Sequence, residues 1–177
     1  RTGLGRLTPV AVVGSGTTVL WCRDPAAGVR QYAATGILTV GAGNGAAGSS
    51  SAHIPATCAS LNYPAGIAVD SAGNLYIAEY NTSRIRKVSN GIITTVAGNG
   101  VGGHSGDNGP ATSASIGSSN SLAIDPSGNL YIADLTYIRK VSGWVITTVA
   151  GNGHSNYSGH GAPATRAGTG FAPGLAP

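Results

Sequence analysis

The chain has 177 residues, of which 41% are hydrophobic and only 9% charged, with ten basic against six acidic residues for a formal net charge of +4. That is enough apolar material for a core. No stretch approaches the roughly 20 apolar residues of a membrane helix, and the modest basic excess contains no Lys/Arg run of the kind that makes a nucleic-acid-binding tail.

The charged fraction lies far below the roughly 25% of ordinary globular proteins, so charge is not what keeps the surface in solution. The chain opens Arg1-Thr2-Gly3, with neither an initiating Met nor a signal peptide, which reads as a processed product or a segment of something longer.

In chain order, Val10–Val13, Val19–Cys22, Val29–Tyr32 and Ile37–Ala42 form four short runs rich in β-branched and aromatic residues. Residues 46–65 follow as a Gly/Ser/Ala-rich connector. The next unit is the clearest. Gly66–Val69, Leu75–Ala78, Arg84–Val88 and Ile92–Ala97 read as strands. They are joined by the turn Asp70-Ser71-Ala72-Gly73, by a loop at Asn81-Thr82-Ser83, and by the hairpin pair Asn90-Gly91.

A second connector, 101–120, leads to Ser121–Gly153, which repeats the unit strand for strand. Asn74 and Asn129 are 55 residues apart but Arg86 and Arg139 only 53, so the two missing residues fall in the loop between the second and third strands. An indel confined to a loop is expected of a repeated structural unit. The first unit, 10–45, is the worn copy, with Gly14-Ser15-Gly16-Thr17 where the others have an Asp-containing turn. The connectors also align, through Pro55-Ala56-Thr57, Pro110-Ala111-Thr112 and Pro163-Ala164-Thr165, and are read as ordered crossovers with a helical turn near Ala111–Ala114. Residues 154–177 read as connector alone.

The succession ITTVAGNG, GDNGPAT, a short apolar strand, D-x-x-GNLYIAD and IRKV resembles the NHL-repeat β-propellers, well over Thr35–Ala167 and poorly over Val10–Tyr32. The resemblance implies an all-β fold of radial blades, each of four antiparallel strands, usually about six to a circle. Units 10–45, 66–100 and 121–153 are then three blades of a partial propeller. The first strand lines the channel, the fourth lies at the rim, and the crossovers share a face with the loops between second and third strands. Three blades are about half a circle, so the flanks need cover, either from the rest of a longer chain or by self-association into a ring or filament.

The search for chemistry returns little. Asp70 and Asp125 each open a tight turn and are read as turn caps. Arg86-Lys87 and Arg139-Lys140 alternate along a strand, one facing solvent and the other pairing with Glu79 or Asp134, which disfavours nucleic acid. His104, Asp107 and His160 lie in crossovers and form the candidate interaction face, without ligand spacing for a metal. Cys22 and Cys58 form a candidate disulfide, with a free Cys the alternative. Asn81 and Asn156 head sequons in exposed loops and are candidate N-glycosylation sites.

The reading is a non-enzymatic module of a secreted or surface protein, without cofactor, acting in protein or glycan interaction or in extracellular assembly. Two alternatives stand beside it: a metal-dependent lyase or hydrolase, of the kind the resemblance includes, and a single-stranded RNA binder. The first strands, Gly66–Val69 and Ser121–Ile124, offer no His to a channel, which counts against the former.

Overall fold

The computed structural model describes residues 8–14, 17–24, 28–33, 38–170 and 174–175. Three antiparallel sheets succeed one another along the chain. The first contains β1 (Thr8–Gly14), β2 (Thr17–Asp24), β3 (Gly28–Ala33) and β4 (Leu38–Ala42), hydrogen-bonded in that order. The second runs from outside inwards as β5 (Ile54–Pro55), then, in reverse chain order, β9 (Ile92–Ala97), β8 (Arg84–Ser89), β7 (Leu75–Glu79) and β6 (Pro64–Val69). The third repeats this with β10 (Gly109–Pro110), β14 (Val145–Ala150), β13 (Tyr137–Ser142), β12 (Leu130–Asp134) and β11 (Ser121–Ile124). The fold is all-β, built of propeller blades.

The four antiparallel strands expected of each blade are present, and in the second and third blades each crossover adds a fifth by laying two residues against the outer strand of the blade it enters, Ile54 opposite Ile93 and Gly109 opposite Ile146. Pro55 and Pro110 end these added strands, and a residue without an N–H suits an edge that must not recruit further strands. The last connector is not strandless, since β15 (Tyr157–Ser158) pairs with β16 (Gly168–Thr169).

Strand alternation explains how the blades stack. Ile67, Leu75, Ile77 and Ile93 share a buried cluster with Val29 and Ala42 of the first blade and with Ala56, Ala59 and Leu61 of the crossover. The alternate positions Ala68, Ala78, Ile85, Val96 and Ala97 face the other way, into a cluster with Leu122, Leu130, Ile132, Val141 and Ile146 of the third blade. Side chains of period two thus build a core on each side of the middle sheet. The inner strands β6 and β11 run side by side, so close that a Cβ on Gly66 would lie 2.9 Å from the backbone of Asn120 and Ser121.

The turns take the chemistry their residues offer. Asp70 Oδ1 accepts from the backbone N–H of Ala72 (3.1 Å) and Asn74 (2.8 Å), while Oδ2 accepts from Asn74 Nδ2 (2.8 Å) and the Tyr76 hydroxyl (3.3 Å). Asp125 does the same for Asn129 and Tyr131. Asn90 and Gly91 both have positive φ, 49° and 76°, as a two-residue hairpin of the primed type requires.

Candidate functional site

The crossovers are held by a device repeated three times. After each outer strand a glycine with positive φ, Gly43, Gly98 or Gly151, donates its N–H to the carbonyl of Ala56, Ala111 or Ala164. The next residue is Asn. Its Nδ2 donates to a carbonyl fourteen residues on, at Cys58, Ser113 or Arg166, while its Oδ1 accepts from the N–H two residues on. The Pro-Ala-Thr segments themselves form single 3-10 turns, Ala56–Cys58, Ala111–Ser113 and Ala164–Arg166. The Gly-Asn pair and the Pro-Ala-Thr triplet are two halves of one lock.

Inside this lock lies a buried charge cluster. A register shift falls between Ile85 and Arg86, and again between Ile138 and Arg139; such a bulge re-aims the side chain beside it. Arg86, fully buried, donates to Glu79 Oε2 (3.2 Å) and to the Ser51 carbonyl (3.3 Å) of the crossover. Arg139, equally buried, donates to Asp134 Oδ2 (3.3 Å), the Ser105 carbonyl (3.2 Å) and Asp107 Oδ1 (2.6 Å). The arginines that gave the sequence its repeated basic look are therefore off the surface. Lys87 and Lys140 lie instead over the rings of Tyr76 and Tyr131.

The third blade places two carboxylates around one guanidinium. Burial pushes Asp134 up to about 6, against the opposing pull of the Gly117 N–H and Arg139. Burial alone would raise Asp107 too, but its bonds with Thr148 and the charge of Arg139 outweigh this and hold it below the usual carboxylate value. His104 completes the cluster: its ring stacks on Tyr137 with centroids 3.5 Å apart and its Nε2 lies 2.9 Å from Thr148 Oγ1. Desolvation, then the positive charge of Arg139, lower its pKa. Of the three residues proposed for an interaction face, His104 and Asp107 thus meet around Arg139 and Thr148, whereas His160 is exposed on the next crossover and makes none of these contacts.

The open feature of this face was not foreseen. Tyr63, Ala65, Tyr80, Asn81 and Asn120 line a cleft of about 480 Å³ beside the start of the inner strands. Tyr63 and Tyr80 meet edge to face at 5.6 Å and remain 45% and 38% exposed. Asn81 donates Nδ2 to Asn62 Oδ1 (3.0 Å), so a candidate glycan acceptor forms part of the cleft wall. Asn156 is exposed on the last crossover. Among the described residues no three His, Cys, Asp or Glu side chains gather as a metal site.

The candidate Cys22–Cys58 bridge depends on a side chain, that of Cys22, outside the described residues. Cys58 carries a free, exposed thiol at the end of its 3-10 turn. That turn packs on β4 through the Gly43 N–H, whereas Cys22 belongs to β2, two strands further in.

Residues 61–88, which run from the lock through β6 and β7 to the buried arginine, match the family model for the NHL repeat. One NHL repeat is thus matched in the second blade. It is 35% identical to teneurin-1 of Gallus gallus over an alignment covering 49% of this chain and 4% of that protein. Among solved structures, a Bacteroides thetaiotaomicron protein of unknown function superimposes with a TM-score of 0.66 at 18% identity, over 90% of this chain and 39% of that one. An auxiliary nutrient binding protein from Bacteroides ovatus does so with a TM-score of 0.56 at 18% identity, over 84% and 37%. The chain therefore spans a small part of its curated relative and under half of these structural ones, whose likeness is one of fold.

Proposed function

We propose that the chain is a non-catalytic NHL propeller module of a secreted or surface protein, which works by assembly and by binding at its crossover face. The observation that carries this is the outward flank of the third blade. Ile85, Val96 and Ala97 of the second blade are at most 5% exposed beneath their neighbour. Their counterparts Ile138, Val149 and Ala150 are only half-buried. A flank of this kind wants another blade, supplied by further blades of a longer chain or by a second copy, closing a ring in one geometry and growing a filament in another.

Assembly of this kind leaves the crossover face open. The tyrosine-lined cleft at the edge of the inner strands is its binding feature, for a protein or glycan partner, since aromatic rings with exposed polar tips are favoured at interfaces. A resemblance in fold to an auxiliary nutrient binding protein is in keeping with a binding role. Asn156 is the freer glycan acceptor; a glycan on Asn81 would compete with any partner in the cleft.

The test is a charge on the flank. Val149→Asp should lower the solution mass of the assembled protein, while the same change at exposed Val101 should not. An unchanged mass for Val149→Asp would overturn the assembly reading.

A further inference from the structure

A second cleft, of about 150 Å³, opens between the second and third blades and is lined by Tyr76, Lys87 and Val96 on one side and by Leu130, Val141 and Trp144 on the other. Trp144 sets it apart. It occupies the hairpin position that Gly91 holds in the second blade, with φ at 71°, and it is 68% exposed. The left-handed conformation is unfavourable for a bulky L-residue, and an indole so exposed recovers little of that through burial. The turn itself would be better served by glycine. A strained, exposed aromatic at the mouth of a cleft points to a use outside folding.

We propose that this cleft binds one pyranose ring of a saccharide, its apolar face stacked on Trp144 and its hydroxyls met by Lys87. The volume equals that of about five liquid waters, which suits a single six-membered ring and not an extended peptide. The floor is apolar, from Val96, Leu130 and Val141, and Gly128 and Gly143 leave room for close approach. The polar edge is Lys87, whose Nζ is held 3.8 Å from Asp70 Oδ2 and supplies donors there. A sugar hydroxyl accepts from such a donor. A nucleotide would also stack, but its phosphate would find one lysine already paired with Asp70, and the two arginines of the repeat are buried elsewhere.

The test titrates the 177-residue chain with methyl α-mannopyranoside, methyl β-galactopyranoside, methyl α-glucopyranoside and N-acetylglucosamine, followed by tryptophan emission and saturation-transfer NMR. At least one should bind saturably with a Kd on the order of 1 mM. Trp144→Gly, which restores the residue the turn prefers and keeps or raises the melting temperature, should weaken that binding by about ten-fold or more, equivalent to roughly 1.4 kcal/mol. Lys87→Met should weaken it less. Absence of saturable binding across the four sugars, equal binding by Trp144→Gly, or a Trp144-dependent affinity for oligouridine in place of sugar would each overturn the assignment.

Discussion

Replacing Arg86 by Met asks what holds a crossover to its blade. The guanidinium is fully buried and makes two charge-assisted contacts, to Glu79 Oε2 at 3.2 Å and to the Ser51 carbonyl at 3.3 Å. Its Nε has no partner, so nothing is lost there. Met fills most of the volume, which keeps the cavity cost small. What remains is a buried carboxylate that still accepts from the Asn62 N–H at 2.9 Å but has lost its counter-charge. Removing one member of such a pair costs about 3–5 kcal/mol, a large part of the 5–15 kcal/mol typical of whole domains. Burial already raises the Glu79 pKa, and without Arg86 it should rise further. The carboxyl then takes up a proton, so the penalty measured by urea unfolding should be smaller at pH 5 than at pH 7. A cost below about 1 kcal/mol, or one independent of pH, would show that the pair is an ornament and that the crossover is held by the Gly-Asn lock alone.

Further outcomes follow from neighbouring sites. Asp134→Asn should be nearly neutral at pH 7, because Asp107 still compensates Arg139 at 2.6 Å; a loss as large as that of Arg86→Met would contradict this. Asp134, with a folded pKa of about 6 against an ordinary 3.8, binds its proton first in the folded state. Its contribution is therefore present below 3.8 and lost as pH rises through 6, so the unaltered chain should gain stability over the Asn variant on acidification through that window. Gly98→Ala should cost clearly more than Gly73→Ala in thermal melts, although both glycines have φ above 80°. A Cβ on Gly98 runs into the Ser83 carbonyl, whereas one on Gly73 meets open space and adds only the roughly 1–2 kcal/mol of the left-handed conformation.

Much of the fold is legible in residues 66–100 because every local signal there agrees: period-two strands, an Asp turn and an Asn-Gly hairpin. The strand bounds shift by at most two residues in the structure. The pairing of Arg86 with Glu79 was also readable, since the two lie diagonally across adjacent strands, Arg86 opposite Ile77 and Glu79 two positions further on. The added strands β5 and β10 were not, for two residues next to proline carry no periodicity. The lock had a signal that went unused, the constant fourteen-residue spacing from Asn44, Asn99 and Asn152 to the ends of the Pro-Ala-Thr turns. The tyrosine cleft stayed hidden because Tyr63 and Tyr80 are seventeen residues apart and are brought together by the pairing of β6 with β7 and the Tyr80 N–H to Tyr63 carbonyl bond. Trp144 was visible as a departure from Asn-Gly, but its meaning depends on the blade beside it.

The central claim is that blades of this kind require a neighbour on each flank, and the molar mass of the chain in solution tests it most directly. Light scattering across micromolar concentrations should give twice the polypeptide mass of 17.4 kDa or a higher multiple. A monodisperse 17.4 kDa species, with β14 amides as protected from hydrogen exchange as those of β9, would contradict the account. The flank of the third blade would then be stable in water as it stands.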